Sequence, residues 1–541
     1  MHAFRSTLPL FLAVAFFLAP QIQLMAKIIN AASTSYSDVD NAVATASPGD
    51  TVMIPAGTST WTQQLYSHAV SLIGAGSNAT IIIDEIPRPN GTGTPIFNIS
   101  STNQLTEVSQ LQLAGGVTNT QYNYNGEIAI SGDSPESWRI DHVFFNGLYG
   151  KNIVAYGNPY AVIDHCLFTM RAVSVTVYAD GYGDTNWATP PNYGGTDRVY
   201  VESCLFTNIV GYPAAVMDGD AGARVVFRYN VVLNDFWANH GTESGQRYRS
   251  MRSFEIYNNS FTDVNNFTWA IQLRGGTGAI YNNTAVGYHN LCGMFYYRVG
   301  EAFNPWGGAN GANLWDTNTG VVYLTGTHSG PSGSTVLIVN NATWTVNQWV
   351  GYSVTDTNSG QFSIITSNNA NTITVYPSKD FGPMTFNTGD HFTISHLQGG
   401  LDQPGRGSGD LLSGNGYPYG PMSNVAIGGT NWPRQVSEPV YFWNNTLNGA
   451  TAGGESDYPN IQSGRDYINN TTKPNYTPLT YPHPLTFVTS TSGGGGGGTT
   501  NPVTTNPVTT NPVTTTNPAT TNPVTGTTNL APPSNLHIIP Q

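Results

Sequence analysis

Cysteine, lysine and long apolar runs are all scarce in this chain, and each scarcity narrows what it can be. Three cysteines in 541 residues cannot build a disulfide framework, so stability must come from strands and their interior. Lysine and arginine together number 19 against 32 acids, a net charge of −13, which argues against nucleic acid as a partner. Beyond the N-terminus nothing approaches the roughly 20 continuous apolar residues that a membrane span needs. Only 9% of residues are charged, 60 are glycine, and Asn, Thr, Val and Ile are abundant. That composition predicts many short strands joined by tight turns rather than helices. Low charge does not mean disorder here, because apolar residues recur through the first 490 positions.

The N-terminus reads as a secretory signal peptide, residues 1–26. His2 and Arg5 precede an apolar run from Leu8 to Leu18, followed by Pro20 and a small cleavage residue, Ala26. The expected protein is exported, to the medium or the cell surface, and monomeric.

Self-similarity at 20 to 50 residues marks a solenoid, and seven segments overlay. They are Ile140-Asp141-His142-Val143, Ile163-Asp164-His165-Cys166, Val201-Glu202-Ser203-Cys204, Phe227-Arg228-Tyr229-Asn230, Ile256-Tyr257-Asn258-Asn259, Ile280-Tyr281-Asn282-Asn283 and Phe442-Trp443-Asn444-Asn445. Up to Asn283 their last members fall 23, 38, 26, 29 and 24 residues apart, which suits one coil per repeat with a loop of variable length. At one bend of successive coils, about 4.8 Å apart, asparagine amides can donate and accept along the stack. Cys166 and Cys204 occupy the preceding rungs and read as small buried thiols.

Residues 33–84 combine a short helix pattern, Ser37 to Ala46, with Pro48-Gly49-Asp50, a strand from Thr51 to Ile54, and a second strand Thr80-Ile81-Ile82-Ile83-Asp84. Ser37 and Asp40 suit a capping box, and Val39, Ala42, Val43 and Ala46 share a face able to plug the open end of a solenoid. Here the sequence resembles the N-terminal cap and first coils of the pectate-lyase-like superfamily. That resemblance, extending over roughly residues 33–485, implies an all-β right-handed parallel β-helix. Trp138-Arg139-Ile140-Asp141-His142 is similar to a Trp-Ile-Asp-His segment of pectate lyases, with Arg139 inserted. Their downstream arginine motif is not evident, nor is the Asn-Thr-Asp signature of polygalacturonases.

The expected organisation is a capped β-helix over 27–320, a small β-rich insert over 321–396, and a continuation with a closing strap over 397–486. A disordered Gly-rich and Thr-Asn-Pro-rich linker follows over 487–528. Residues 529–541 resemble the first strand of a fibronectin type III module.

Chemistry is sought where arginine concentrates. Seven of fifteen, Arg224, Arg228, Arg247, Arg249, Arg252, Arg274 and Arg298, lie between positions 224 and 298, where no lysine falls. Guanidinium forks suit the carboxylates of uronic-acid polymers. Arg224 and Arg228 read rather as structural, with Arg228 closing a charge ladder of Asp141, Asp164 and Glu202. Asp180, Asp218, Asp220, His240 and Glu243 lie on the same coils, and counting back from the ladder places Asp218, Arg247, Arg249 and Arg274 near one stripe.

Two reactions fit such a stripe. In β-elimination, Arg or Ca²⁺ neutralises the uronate while a base such as His240 or an arginine removes the neighbouring proton. Arg274, His240 and Glu243 form the expected centre with Arg247 and Arg249, and Asp180, Asp218 and Asp220 are candidate Ca²⁺ ligands. In hydrolysis the same acids serve as a pair, roughly 6.5 to 9.5 Å apart for inversion. Arg252, Arg298, Trp187 and Trp306 are expected to bind substrate, the tryptophans by stacking on sugar rings. The expected function is a secreted protein acting on an acidic polysaccharide, with lyase, glycoside hydrolase and non-catalytic glycan-binding readings open.

Overall fold

Strands from successive coils pair in parallel and pile into three sheets that run the length of the solenoid. The computed structural model describes residues 26–89, 93–118, 120–179, 190–241, 250–295, 322–350, 352–376, 384–396, 402–410, 434–458 and 461–488. The first sheet has twelve strands, from Ile28–Asn30 to Tyr467–Ile468, and the second eleven, from Gly57–Trp61 to Ala450–Ala452. The third has six, from Leu65–His68 to Met217–Asp220, and four more continue it from Trp237–Ala238 to Gly454–Glu455. Backbone bonds from Val216 N to Phe236 O and from His240 N to Gly219 O, 2.9 and 3.0 Å, join the two parts. This is a right-handed parallel β-helix.

The bend between the first and second sheets explains the repeated motif. His142, His165, Ser203, Tyr229, Asn258, Asn282 and Asn444 all adopt φ between 50° and 56°, a region that asparagine tolerates better than most residues. The next residue is the ladder rung. Asn230 Nδ2 donates to Asn259 Oδ1 at 3.1 Å, Asn259 Nδ2 to Asn283 Oδ1 at 3.0 Å, and Asn283 Nδ2 to Asn445 Oδ1 at 2.9 Å. The last pair is 162 residues apart in the chain. Cys166 and Cys204 are buried free thiols on the rungs before. Inside, Phe145, Phe168 and Phe206 stack at centroid spacings of 4.7 and 4.5 Å, each worth about 1.5 to 3 kcal/mol of burial.

A helix, Tyr36–Ala44, caps the N-terminal end and buries Val39 and Ala42. Its N-cap is Ser35, which accepts from Asp38 N at 3.3 Å, so the capping signal lies two residues before the expected Ser37 and Asp40 pair. Ser33 Oγ, which donates to the Asp38 carboxylate, fixes that earlier start. Residues 322–396 contribute six antiparallel strands in one sheet, with Leu337, Val354, Ile365, Ile373, Phe386 and Ile394 in its own core. Asn448-Gly449, both at positive φ, form the tight turn that folds the last strand of the second sheet back antiparallel.

The C-terminal strap does more than close an end, because it returns along the outer face of the first sheet. Leu485 lies over Val162, Tyr200 and Val226, with Tyr257, Ala279 and Tyr281 in the same apolar cluster. Arg228 is the fastener. It pairs with Glu202 at 2.6 Å and donates to Leu479 O and Thr480 O at 2.6 and 3.0 Å, while His483 N donates to Glu202 Oε1 at 2.7 Å. Asp141, Asp164, Glu202 and Arg228 stand in register, as the charge ladder requires.

His483 makes this strap acid-sensitive. Burial, reinforced by the Arg228 guanidinium, lowers its imidazole to about 3, against an ordinary value near 6.5. Between these values the unfolded chain binds a proton that the native protein does not. Its contribution to stability is therefore complete above about pH 6.5 and is lost toward about pH 3, at about 1.4 kcal/mol per unit. His483→Asn keeps an acceptor for Leu485 N, which bonds Nδ1 at 3.2 Å, and removes the titration. Thermal melts between about pH 7 and about pH 4 are expected to fall less steeply in the variant; parallel curves would place the acid sensitivity elsewhere.

Candidate functional site

The outer face of the third sheet gathers ionisable side chains where its two parts meet. Thr176 pairs with Asp218 and Tyr178 with Asp220. On the following strands Ala238 pairs with Gln272, so His240 and Arg274, two residues further on, extend the same rows. Gly241 permits this approach, since a Cβ there would stand 2.4 Å from Arg274 O.

Arg274 is held from below by Asn239. Its backbone N–H donates to Asn239 Oδ1 at 2.8 Å and its Nε to Asn239 O at 2.7 Å, while Asn239 Nδ2 donates to Gly275 O at 2.8 Å. The outer end of the guanidinium then points at His240 and Asp218. Arg274 Nη2 lies 3.0 Å from His240 Nδ1 and 3.9 Å from Asp218 Oδ1, and His240 Nδ1 is 3.4 Å from Asp218 Oδ2. Nδ1 thus sits between a cationic donor and an anionic acceptor, and the hydrogen bond it makes depends on its proton.

Burial would raise the Asp218 carboxyl, but His240, Arg274 and Lys151 together outweigh it and hold the group well below the usual carboxylate range. The side chains of His240 and Asp218 are 16% and 18% exposed, so both are largely shielded from solvent. Lys151 completes it from an earlier coil, its Nζ 2.7 Å from Tyr178 Oη. Burial lowers the lysine against the opposing pull of Asp218 and Asp220. Burial, with Asp220 and Asp218, raises the Tyr178 hydroxyl far above its ordinary value. Tyr122 approaches from a neighbouring loop and is raised by burial and by Asp218.

Of the residues expected from sequence, the structure brings together Asp218, Asp220, His240 and Arg274. Asp180, Trp187, Glu243, Arg247, Arg249, Arg298 and Trp306 lie outside the described residues. Arg252 is a correction: it is fully buried and pairs with Glu438 at 3.0 Å, so it braces the segment that follows the insert instead of meeting substrate. Arg224 is likewise buried and paired with Asp197. The Asp141-His142 pair sits at the bend between the first and second sheets, where the His142 ring stacks on His165 at 5.2 Å, away from this face.

Lys151, Tyr178 and Asn239 were not expected. A usable signal existed for the first, which is the lone lysine between Lys27 and Lys379. Calcium finds no complete set here: among the described residues no group of three or more His, Cys, Asp or Glu is placed to hold a metal. Asp218 already faces Arg274, Lys151 and His240, whereas Ca²⁺ takes 6 to 8 oxygens.

No protein-family model matches the chain, and no curated protein matches it. Similar solved structures include a mutant of the PL6 family alginate lyase AlyGC, at TM-score 0.31 and 14% identity, covering 50% of this chain and 41% of that one. An alginate lyase from Paenibacillus sp. str. FPU-7 gives 0.27 and 12%, over 49% and 97% of the two chains. The catalytic domain of a GH87 alpha-1,3-glucanase in complex with nigerose gives 0.24 and 12%, over 52% and 62%. The match to AlyGC spans less than half the length of that enzyme. Among the described residues no helix is long and apolar enough to cross a membrane.

Proposed function

We propose that this chain is an exported polysaccharide lyase that cleaves a uronate-containing glycan by β-elimination. The observation that carries the reading is the placement of the Asp218 carboxyl group, 3.4 Å from His240 and 3.9 Å from Arg274. Hydrolysis needs one carboxylic acid that keeps its proton for the leaving oxygen. Asp218 is held in the opposite state.

Elimination needs a cation for the substrate carboxylate, a base for the carbon acid and a donor for the departing oxygen. Arg274 supplies the first. Once the Arg274 fork turns from Nδ1 to the substrate carboxylate, Nδ1–H is donated to Asp218, and His240 presents a lone pair at Nε2 that accepts the proton from the carbon next to the carboxylate. The electrons form the new C=C bond, the C–O bond to the leaving sugar breaks, and Tyr178 Oη gives that oxygen its proton. Lys151 then stands beside the tyrosinate as its counter-charge. The strands bearing Tyr178 and His240 are separated by two strand spacings, roughly 10 Å, a gap that side chains of this length close from both sides. Glu243, Arg247 and Arg249 stay candidates for catalysis, Arg298, Trp187 and Trp306 for substrate binding and Asp180 for a Ca²⁺ ligand, all outside the described residues, and no step is routed through them or through Ca²⁺.

Incubation of the protein with pectate, alginate and related uronate polymers is expected to generate the ultraviolet absorbance of an unsaturated uronate. New reducing ends without that chromophore would establish a hydrolase. Binding without any cleavage would leave a glycan-presenting surface protein.

A further inference from the structure

The outer face of the third sheet continues from this centre toward the N-terminal coils, and its chemistry changes along the way. Register pairs His68 with Ser100, Ser100 with Ser131, Ser131 with Tyr156 and Tyr156 with Tyr178. Tyr66 and Asn98 pair in the adjoining outward row. Tyr66 is 67% and Tyr156 38% exposed, and the Tyr156 ring lies 5.8 Å from that of Tyr178 at 27°. Two hollows of about 290 and 310 Å³ open on this arm, and among the described residues no lysine, arginine, aspartate or glutamate lines either.

We infer that this arm binds uncharged sugar residues of the same glycan whose uronate is held at Arg274, so that the substrate is a heteropolymer of charged and neutral sugars. The inference rests on the lyase reading for the uronate alone. Exposed tyrosine rings offer flat apolar faces to the C–H faces of pyranoses. Asn98, Ser100 and Ser131 both donate and accept, as sugar hydroxyls do. A uronate carboxylate leaving water needs a cation or several donors in exchange, and among the described residues neither hollow of the arm is lined by a permanent positive charge. His68, whose Nδ1 is 2.7 Å from Ser100 Oγ, is committed to that neighbour. From Leu65–His68 to Val175–Tyr178 the five strands span four spacings, about 19 Å, room for about four sugar units.

Isothermal titration of the full chain with cello-, manno- and xylohexaose, and with oligomers of galacturonate and mannuronate, tests this. At least one neutral hexasaccharide is expected to bind, the paired change Tyr66→Ala and Tyr156→Ala to weaken it about tenfold, and Arg274→Ala to leave it within about twofold. Both tyrosines are exposed, so the paired variant keeps its fold, and an unchanged melting temperature verifies it. Absence of neutral binding, or neutral binding indifferent to the tyrosines or abolished with Arg274, overturns the assignment. Neutral binding through the tyrosines without unsaturated product from any polymer would retire the lyase and leave the arm standing.

Discussion

Arg274→Ala is expected to lower kcat on the uronate polymer by about 10²- to 10³-fold, the effect of removing one preorganised charge donor from a developing anion. Stability should fall far less. The side chain is 8% exposed, and its loss frees Asn239 O from one donor, a cost of about 1 to 2 kcal/mol. Arg274→Lys returns the charge without the Nε bond to Asn239 O, so it should recover binding better than turnover. Asn239→Ala is the companion test, because Asn239 acts only through the arginine: kcat should drop while KM changes little. Turnover near wild type in Arg274→Ala, with only the melting temperature reduced, would make this arginine a brace and nothing more.

Asn259→Ala is expected to cost about 3 to 5 kcal/mol, several unsatisfied polar groups deep. Asn259 Nδ2 donates to Phe227 O and Asn283 Oδ1, at 2.9 and 3.0 Å, and its Oδ1 accepts from Asn230 N and Nδ2, at 2.9 and 3.1 Å. One truncation therefore disturbs three coils, all of them buried. The shift in urea midpoint measures it. A loss under about 1 kcal/mol would mean that water enters and replaces the amide.

The fold was legible because the bend between the first and second sheets makes the same demand on every coil. One position needs positive φ on each coil, and from Asn230 onward the next carries a stacking amide, so Asn258-Asn259, Asn282-Asn283 and Asn444-Asn445 declare themselves even across the insert. The helix was visible from Val39 and Ala42, but its start was misplaced, because Ser33, Ser35 and Ser37 all look like caps until Asp38 chooses among them. The site was only half visible. Counting back from the ladder worked for Asp218 and Arg274, whose loops are short, yet spacings that range from 23 to 38 residues hide Lys151 and Tyr178 from any such count. Arginine density misled at Arg252, since a buried strand bundle with few lysines uses the same guanidinium forks to fasten its own loops.

The strap also decides how the molecule answers to mechanical load. Tension applied at residue 488 reaches the coils first through the fastening of His483, Thr480 and Leu479 onto Glu202 and Arg228. Those bonds sit on coils well inside the stack, not on its last turn. A pull toward the C-terminus must strip the strap from the mid-solenoid before it can unwind any coil, so the terminal rungs, which would otherwise fray first, are sheltered from the force.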